Sequence, residues 1–389
     1  MRLNYLMPAR ILMDENCLAG HRDYLAGLGK KALVVTGRHS ARTNGAYNDA
    51  VKALKDNGQD HVLYDQVMTN PTDTCVFEAG ELARKTNCDF VLALGGGSPM
   101  DAAKAAAVLG LNDISKEEMY SLSFADALPI AAVPTTAGTG SETTPYSVLV
   151  DTTEADGKTP RLKGPVKRSF GSPLLFPRCA FLDVKYLLGL NRDLTVNTAI
   201  DALCHAIEGM LTLKANYLSD MLARQSIAMI MDCMQALAAF PEDPRCFPVE
   251  IRKKLLLASC VAGMVIAQSG TTVVHSMGYV FTLNWGTDHG RANFLLLRSF
   301  LSWCREKEKA ACTPEQRIPG VCAALGMELE RFFDLLEKLL GQREKASDAD
   351  LKAWGSLPMK NAANTYIQPN QEDISRMFRE SVVEDSCTV

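Results

Sequence analysis

The first 180 residues alternate short apolar runs with helix-like stretches, and this alternation restricts the fold more than any other feature. "KALVVTG" (31–37) reads as a buried strand, "YNDAVKALKDNG" (47–58) as an amphipathic helix closed by Gly58, and "HVLYD" (61–65) as a second strand. Residues 72–86 follow a helical pattern. "DFVLALGGGS" (89–98) is a third strand running into glycines, and 98–110 is an Ala-rich helix expected to be capped by Ser98 and ended by Gly110. A further apolar run, 129–143, ends in small polar residues. Strands separated by helices build a mostly parallel sheet with helices on its faces. Beyond Asp183 strand-like runs become scarce. Helical periodicity takes over at 195–213, 218–239, 250–269, 290–306, 328–341 and 371–384. The expectation is an α/β domain over 1–184 and an all-helical domain over 185–389, with a frayed tail at 381–389.

Charge and cysteine usage exclude several function classes. The net charge of -4 gives no basic footprint for nucleic acid and no attraction to an anionic membrane surface. No apolar run approaches the roughly 20 residues a spanning helix needs. The N-terminal stretch is broken by Pro8, Arg10, Asp14 and Glu15 and makes a poor signal peptide. Twelve cysteines are scattered without a CxxC pair, as reduced buried thiols rather than a disulfide framework. Together these point to a cytoplasmic protein.

Two loops carry the signature of a dinucleotide. Gly95, Gly96 and Gly97 stand between a strand and a helix, where missing Cβ atoms let the backbone approach a pyrophosphate and the helix N–H groups face the anion. Ser98 adds a hydroxyl. After the next strand, "PTTAGTGSETT" (134–144) offers Thr135, Thr136, Thr139, Ser141 and Thr144. Small polar loops after two strands of one sheet suit a dinucleotide in the crevice at the strands' carboxyl ends. The glycines fit neither GxGxxG nor a Walker loop.

A metal-seeking cluster lies further on. Asp201 and His205 are four residues apart in "AIDALCHAIEG", which places them on one helix face. His275 sits in an apolar helix-like run and His289 in the turn-like "GTDHG". The chain has only six histidines, and these three add to one carboxylate a set suited to Fe(II) or Zn(II). An open position on such an ion would take a substrate oxygen.

These motifs resemble the iron-containing (group III) alcohol dehydrogenases. The resemblance rests on "GGGSPMDAAK", "PTTAGTGSE", "DALCHAIEG" and "VVHSMGY", with "HG" fourteen residues after His275, and spans roughly residues 5–300. It implies a Rossmann-like dinucleotide domain followed by an all-helical metal domain, and hydride transfer between a nicotinamide cofactor and a small primary alcohol or aldehyde; a homodimer through an edge strand near the N-terminus is a separate expectation. By the same resemblance Asp201, His205, His275 and His289 match the metal ligands. The glycine motif, including Ser98 and Asp101, and the threonines at 135, 136, 139 and 144 match cofactor positions. Asn70 and Lys167 also fall where the family contacts its cofactor. Two departures stand out. Many members carry a histidine four residues after the one matched by His275, thought to assist proton transfer; here it is Tyr279, whose phenol is a poor base near neutrality. NAD-preferring members often carry Asp at the end of the first strand. Here Gly37 and Arg38 follow "VVT", with Ser40 nearby, which favours NADP(H) over NAD(H). A dehydroquinate-synthase-like cyclase is the alternative within the same architecture, and a metal-bearing dinucleotide scaffold the non-enzymatic one.

Overall fold

The computed structural model describes residues 3–152, 166–239, 247–311, 316–341 and 343–384. Six parallel strands form the central sheet: β1 (Arg10–Met13), β2 (Lys31–Gly37), β3 (Asp60–Val67), β4 (Phe90–Gly95), β5 (Ile130–Pro134) and β8 (Cys179–Leu182). Their order across the sheet is β1-β8-β5-β4-β2-β3. The chain moves outward from β2 to β3 and then returns to the far side of β2 with β4. The order reverses between β2 and β4, so a crevice opens where Gly37 and the Gly95 loop leave the sheet. An antiparallel hairpin of β6 (Tyr146–Asp151) and β7 (Val166–Gly171) stands apart from the sheet.

The helices form where the patterns place them, with local chemistry setting their ends. Thr72 caps Asp73–Lys85 by accepting from Cys75 N–H, and Gly58, at φ 69°, follows the helix Ala46–Asp56. The helix Gly97–Leu111 begins one residue earlier than expected. Its N-cap is Gly96, with no side-chain cap, so Ser98 lies inside the first turn and accepts from Asn70 N–H at 3.2 Å. Nor does Gly110 end it. Gly110 is a helical residue whose missing Cβ admits Leu128 and Ala83. The alanines of this helix are buried, packed with Val91 and Ala93 of β4 in one apolar cluster.

The second half is helical, as expected: Arg192–Met210, Tyr217–Ala239, Val249–Ser269, Val273–Trp285, His289–Ala311 and shorter helices after them. The fold is therefore a parallel-sheet, Rossmann-like N-terminal part joined to a helical C-terminal part. The last helix stops at Ser381 rather than 384, because Val383 and Glu384 turn aside to pair with Lys345 and Ala346. The rest of the expected tail, 385–389, lies outside the described residues. No single helix among the described residues is long and apolar enough to cross a membrane.

Candidate active site

Asn191 caps the helix Arg192–Met210 by accepting from Leu194 N–H at 2.8 Å, which fixes where its later turns point. Asp201 and His205, one turn apart, both face the helix Val273–Trp285. There His275 stacks on His205 with ring centroids 4.6 Å apart. Ligand atoms of Asp201, His205 and His275 all lie within 4.8 Å of one another, and the three side chains are buried. His289 is not in a turn: it opens the helix His289–Ala311. Its ring meets His275 edge-on at 5.2 Å. The Asn293 amide joins the group, donating to Asp201 Oδ1 at 3.0 Å, with Nδ2 also 3.2 Å from His275 Nε2 and 3.3 Å from His289 Nε2. The fourth expected side chain thus stands one amide away from the other three.

This cluster fits a divalent ion. Asp201 is buried, and its nearest ionic neighbour is His275 Nε2 at 3.7 Å. The Nδ1 atom of His205 is buried with no hydrogen-bond partner. A buried carboxylate and an orphaned imidazole nitrogen are costly unless a shared cation joins them. Burial pushes the Asp201 carboxyl up, but His205, His289 and His275 outweigh that and hold it below its ordinary value. Burial pulls His205 down and His289 well down, toward the neutral form that binds metals.

His275 goes the other way. Burial lowers its affinity for a proton, yet Glu208 raises it more. Glu208 is fully buried, with Oε1 against His275 Nδ1 while Oε2 accepts from Thr272 N–H at 2.8 Å and Thr272 Oγ at 2.5 Å. That pairing places the His275 proton on Nδ1 and turns Nε2 toward Asp201. Glu208 and Asn293 do not stand out in the sequence as site residues. The available signal was spacing, since Glu208 is three residues beyond His205 and Asn293 four beyond His289, each on a face already singled out.

The two loops of the other half touch each other. A Cβ on Gly96 would lie 2.9 Å from Thr136 Oγ1, and one on Gly97 would lie 2.6 Å from Thr139 Cγ2. Gly95, at φ 150°, packs on the Pro99 ring. Part of the demand for glycine therefore comes from the threonine loop itself. Thr135 N–H donates to Gly95 O at 3.0 Å. Buried Lys104, equally inconspicuous in the sequence, donates to Ser141 Oγ at 2.7 Å, Thr144 Oγ1 at 3.1 Å and Tyr146 O at 2.9 Å. Asp101 accepts from Ser141 Oγ at 3.0 Å and Val148 N–H at 3.2 Å. Asn70, at φ 56°, touches Ser98 beside the glycines. Arg38 and Ser40 are exposed just past Gly37. Half-buried Tyr279 lies flat on His289 at 5.2 Å, and burial pushes its phenol up, further from any use as a base. Lys167 Nζ sits 4.9 Å from the centre of the Tyr279 ring. Lys167 feels both Asp101, on the helix after the glycine loop, and Asp201 of the ion cluster, so Lys167 and Tyr279 mark the cleft between the cofactor loops and the cluster.

Two family models match the chain. Residues 8–184 match "Iron-containing alcohol dehydrogenase", and residues 195–382 match "Fe-containing alcohol dehydrogenase family, C-terminal". The chain belongs to the iron-containing alcohol dehydrogenase family. It is 31% identical to the 1,3-propanediol dehydrogenase of Klebsiella pneumoniae over 97% of this chain and 98% of that one. It is 28% identical to the NAD-dependent methanol dehydrogenase of Bacillus methanolicus, over 87% and 80% of the two chains. A crystal structure of an iron-containing alcohol dehydrogenase from Thermotoga maritima superposes with a TM-score of 0.85 at 35% identity, covering 97% of this chain and 99% of that one. The activity is that of an alcohol dehydrogenase acting with a nicotinamide cofactor, and the cyclase alternative finds no support among these relatives.

Proposed function

We propose that Asp201, His205, His275 and His289 together hold one Fe(II), a set that Zn(II) also fits. In this reading the enzyme interconverts small primary alcohols and aldehydes and prefers NADP(H) to NAD(H), in the manner of NADP-dependent butanol dehydrogenases. The observation that carries it is the convergence of a buried carboxylate and two buried imidazoles within 4.8 Å, with His289 beside them. A divalent ion there supplies Lewis acidity to an alcohol or carbonyl oxygen, and the nicotinamide exchanges the hydride. The protein's own share is placement. Gly95, Gly96, Gly97, Ser98 and Asn70 cradle the cofactor with Thr135, Thr136 and Thr139. Asp101 and Thr144, through Ser141 and Lys104, keep the two loops in register. The 1,3-propanediol relative adds short diols and hydroxyaldehydes to the substrate class.

The NADP(H) preference rests on Gly37, which leaves no carboxylate to repel a 2′-phosphate, and on Arg38 exposed beside it. A homodimer through the N-terminal edge is part of the same reading: β1 pairs with β8 on one side and lies at the sheet's edge. A cytoplasmic setting is supported by the nine described cysteines, all free. The test is metal analysis of anaerobically purified protein beside an NADPH-linked aldehyde panel. His275→Ala is expected to lose metal and turnover while keeping its fold. Full metal content and full turnover in that variant would defeat the proposal.

A further inference from the structure

The reaction needs a group to exchange a proton with the substrate oxygen, and the expected position holds a phenol. The other titratable groups at the cleft are engaged. Asp201, His205, His275 and His289 form the ion cluster. Glu208 is bound to His275 and Thr272, and Asp101 accepts from Ser141 and Val148. One remains. We infer that Lys167 is the proton-exchanging group of this enzyme, its amine facing the reacting oxygen from the hairpin strand β7; this rests on the dehydrogenase reading above.

The strand's own geometry aims it. Side chains alternate across a strand, so Lys167 and Arg168 point to opposite faces. Arg168 is clamped: it donates to Asp151 at 2.9 Å and Glu117 at 3.0 Å and covers the Tyr120 ring at 3.9 Å. With that face fixed, Lys167 is turned to the cleft, where Nζ lies 4.9 Å over the ring that itself lies flat on His289. Among the described residues no carboxylate is within ion-pairing distance of Nζ, so its lone pair or its protons are free for a ligand. The groups facing it are Asp201 on Arg192–Met210, Asp101 on Gly97–Leu111, His275 and Tyr279 on Val273–Trp285, and His289 at the start of His289–Ala311. Burial lowers its proton affinity and the two carboxylates raise it, leaving it at about 8. A lysine so poised is neutral in part near neutrality, as a base must be.

In the oxidation direction the neutral amine takes the hydroxyl proton. The O–H electron pair becomes the second carbon–oxygen bond as hydride leaves the carbon for the oxidised nicotinamide. Lys167 ends as ammonium and returns its proton to water at the cleft mouth. In reduction the ammonium gives its proton to the carbonyl oxygen as hydride arrives. Oxidation therefore gains as pH rises through the Lys167 pKa, and reduction loses over the same window.

The test uses the metal-loaded enzyme with 1-butanol and NADP+, comparing Lys167→Ala, Lys167→Met and Lys167→Arg. Metal content and cofactor affinity are read alongside kcat against pH. The expected result is a loss of about 100-fold or more in kcat for all three, with metal retained and the rising limb of kcat against pH gone. Added ethylamine is expected to restore the Ala variant at least about tenfold and to leave the Arg variant unchanged. Lys167→Met preserves the apolar stem, so it keeps the comparison sound if the Ala variant folds poorly. A change confined to the cofactor KM, or a kcat limb that survives in the Met variant, would overturn the role of Lys167 while leaving the dehydrogenase intact. Wild-type protein that binds no metal and reduces no NADP+ would overturn both.

Discussion

Glu208 shows how one residue outside the ion cluster sets what the cluster can do. It is fully buried, yet each oxygen has a donor, so its charge is matched by His275 and Thr272 rather than by a lysine or arginine. Glu208→Gln would replace an acceptor with an amide that presents either O or N–H to Nδ1, loosening control of the His275 tautomer. Metal affinity is expected to fall about 10–100-fold, measured by competition with a chromophoric chelator; an unchanged Kd would remove Glu208 from the site. Gly37 decides a different question. A Cβ there would meet Val67 O at 3.4 Å and Ser40 Oγ at 3.9 Å, ordinary contacts, so the position tolerates a side chain. Gly37→Asp brings a carboxylate to a bound 2′-phosphate. NADPH is expected to lose roughly tenfold in kcat/KM relative to NADH, about 1.4 kcal/mol. An unchanged ratio would show that the phosphate lies elsewhere.

Elements explain why the paired motif His289–Gly290 has that order. A Cβ on Gly290 would fall 1.8 Å from Asn197 O and 3.0 Å from Asp201 N, inside the helix that carries Asp201. The two helices touch backbone to backbone there, and this contact brings His289 to the cluster. Gly290→Ala is expected to push them apart, costing about 1–3 kcal/mol in urea unfolding and lowering metal content. Wild-type stability with full metal would mean that the crossing can shift without cost. The glycine was legible in the sequence only as a turn, because its partner lies some ninety residues away. Long periodic helices and apolar strands were legible because their patterns are local. The hairpin β6–β7 was not, since its strands are separated by residues 152–165 and carry Lys167 and Arg168 where a strand pattern calls for apolar residues. The four-residue strand β1, "RILM", offered too short a run to read. Asp201 and His205 were legible because helical spacing alone pairs them. Lys104, Glu208 and Asn293 were not, because only tertiary contact gives them partners.

At the scale of the molecule, the two halves interlock beside the cleft. Gly140 and Gly263 pack backbone against backbone, where a Cβ on Gly263 would meet Gly140 O at 2.4 Å. Thr143 Oγ1 donates to Cys260 O at 3.1 Å, and Tyr146 Oη to Ile266 O at 3.3 Å. The threonine loop is thus seated on the helix Val249–Ser269, and loosening the helical half would disturb the cofactor loops as well. An ion held by Asp201 and His205 from one helix, His275 from a second and His289 from a third would cross-link that half at its centre. Because the unfolded chain does not present these groups together, binding stabilises only the native state, by about 2.7 kcal/mol when free metal exceeds Kd a hundredfold. Stripping the metal with 1,10-phenanthroline is therefore expected to lower the Tm by on the order of 5 °C, and anoxic Fe(II) to restore it. The interlock adds a second expectation: NADPH affinity drops in the stripped protein although no metal ligand comes from the nucleotide half. A Tm unmoved by chelation would mean that no ion bridges the three helices. A lowered Tm with unchanged NADPH affinity would mean that the seam between the halves transmits nothing.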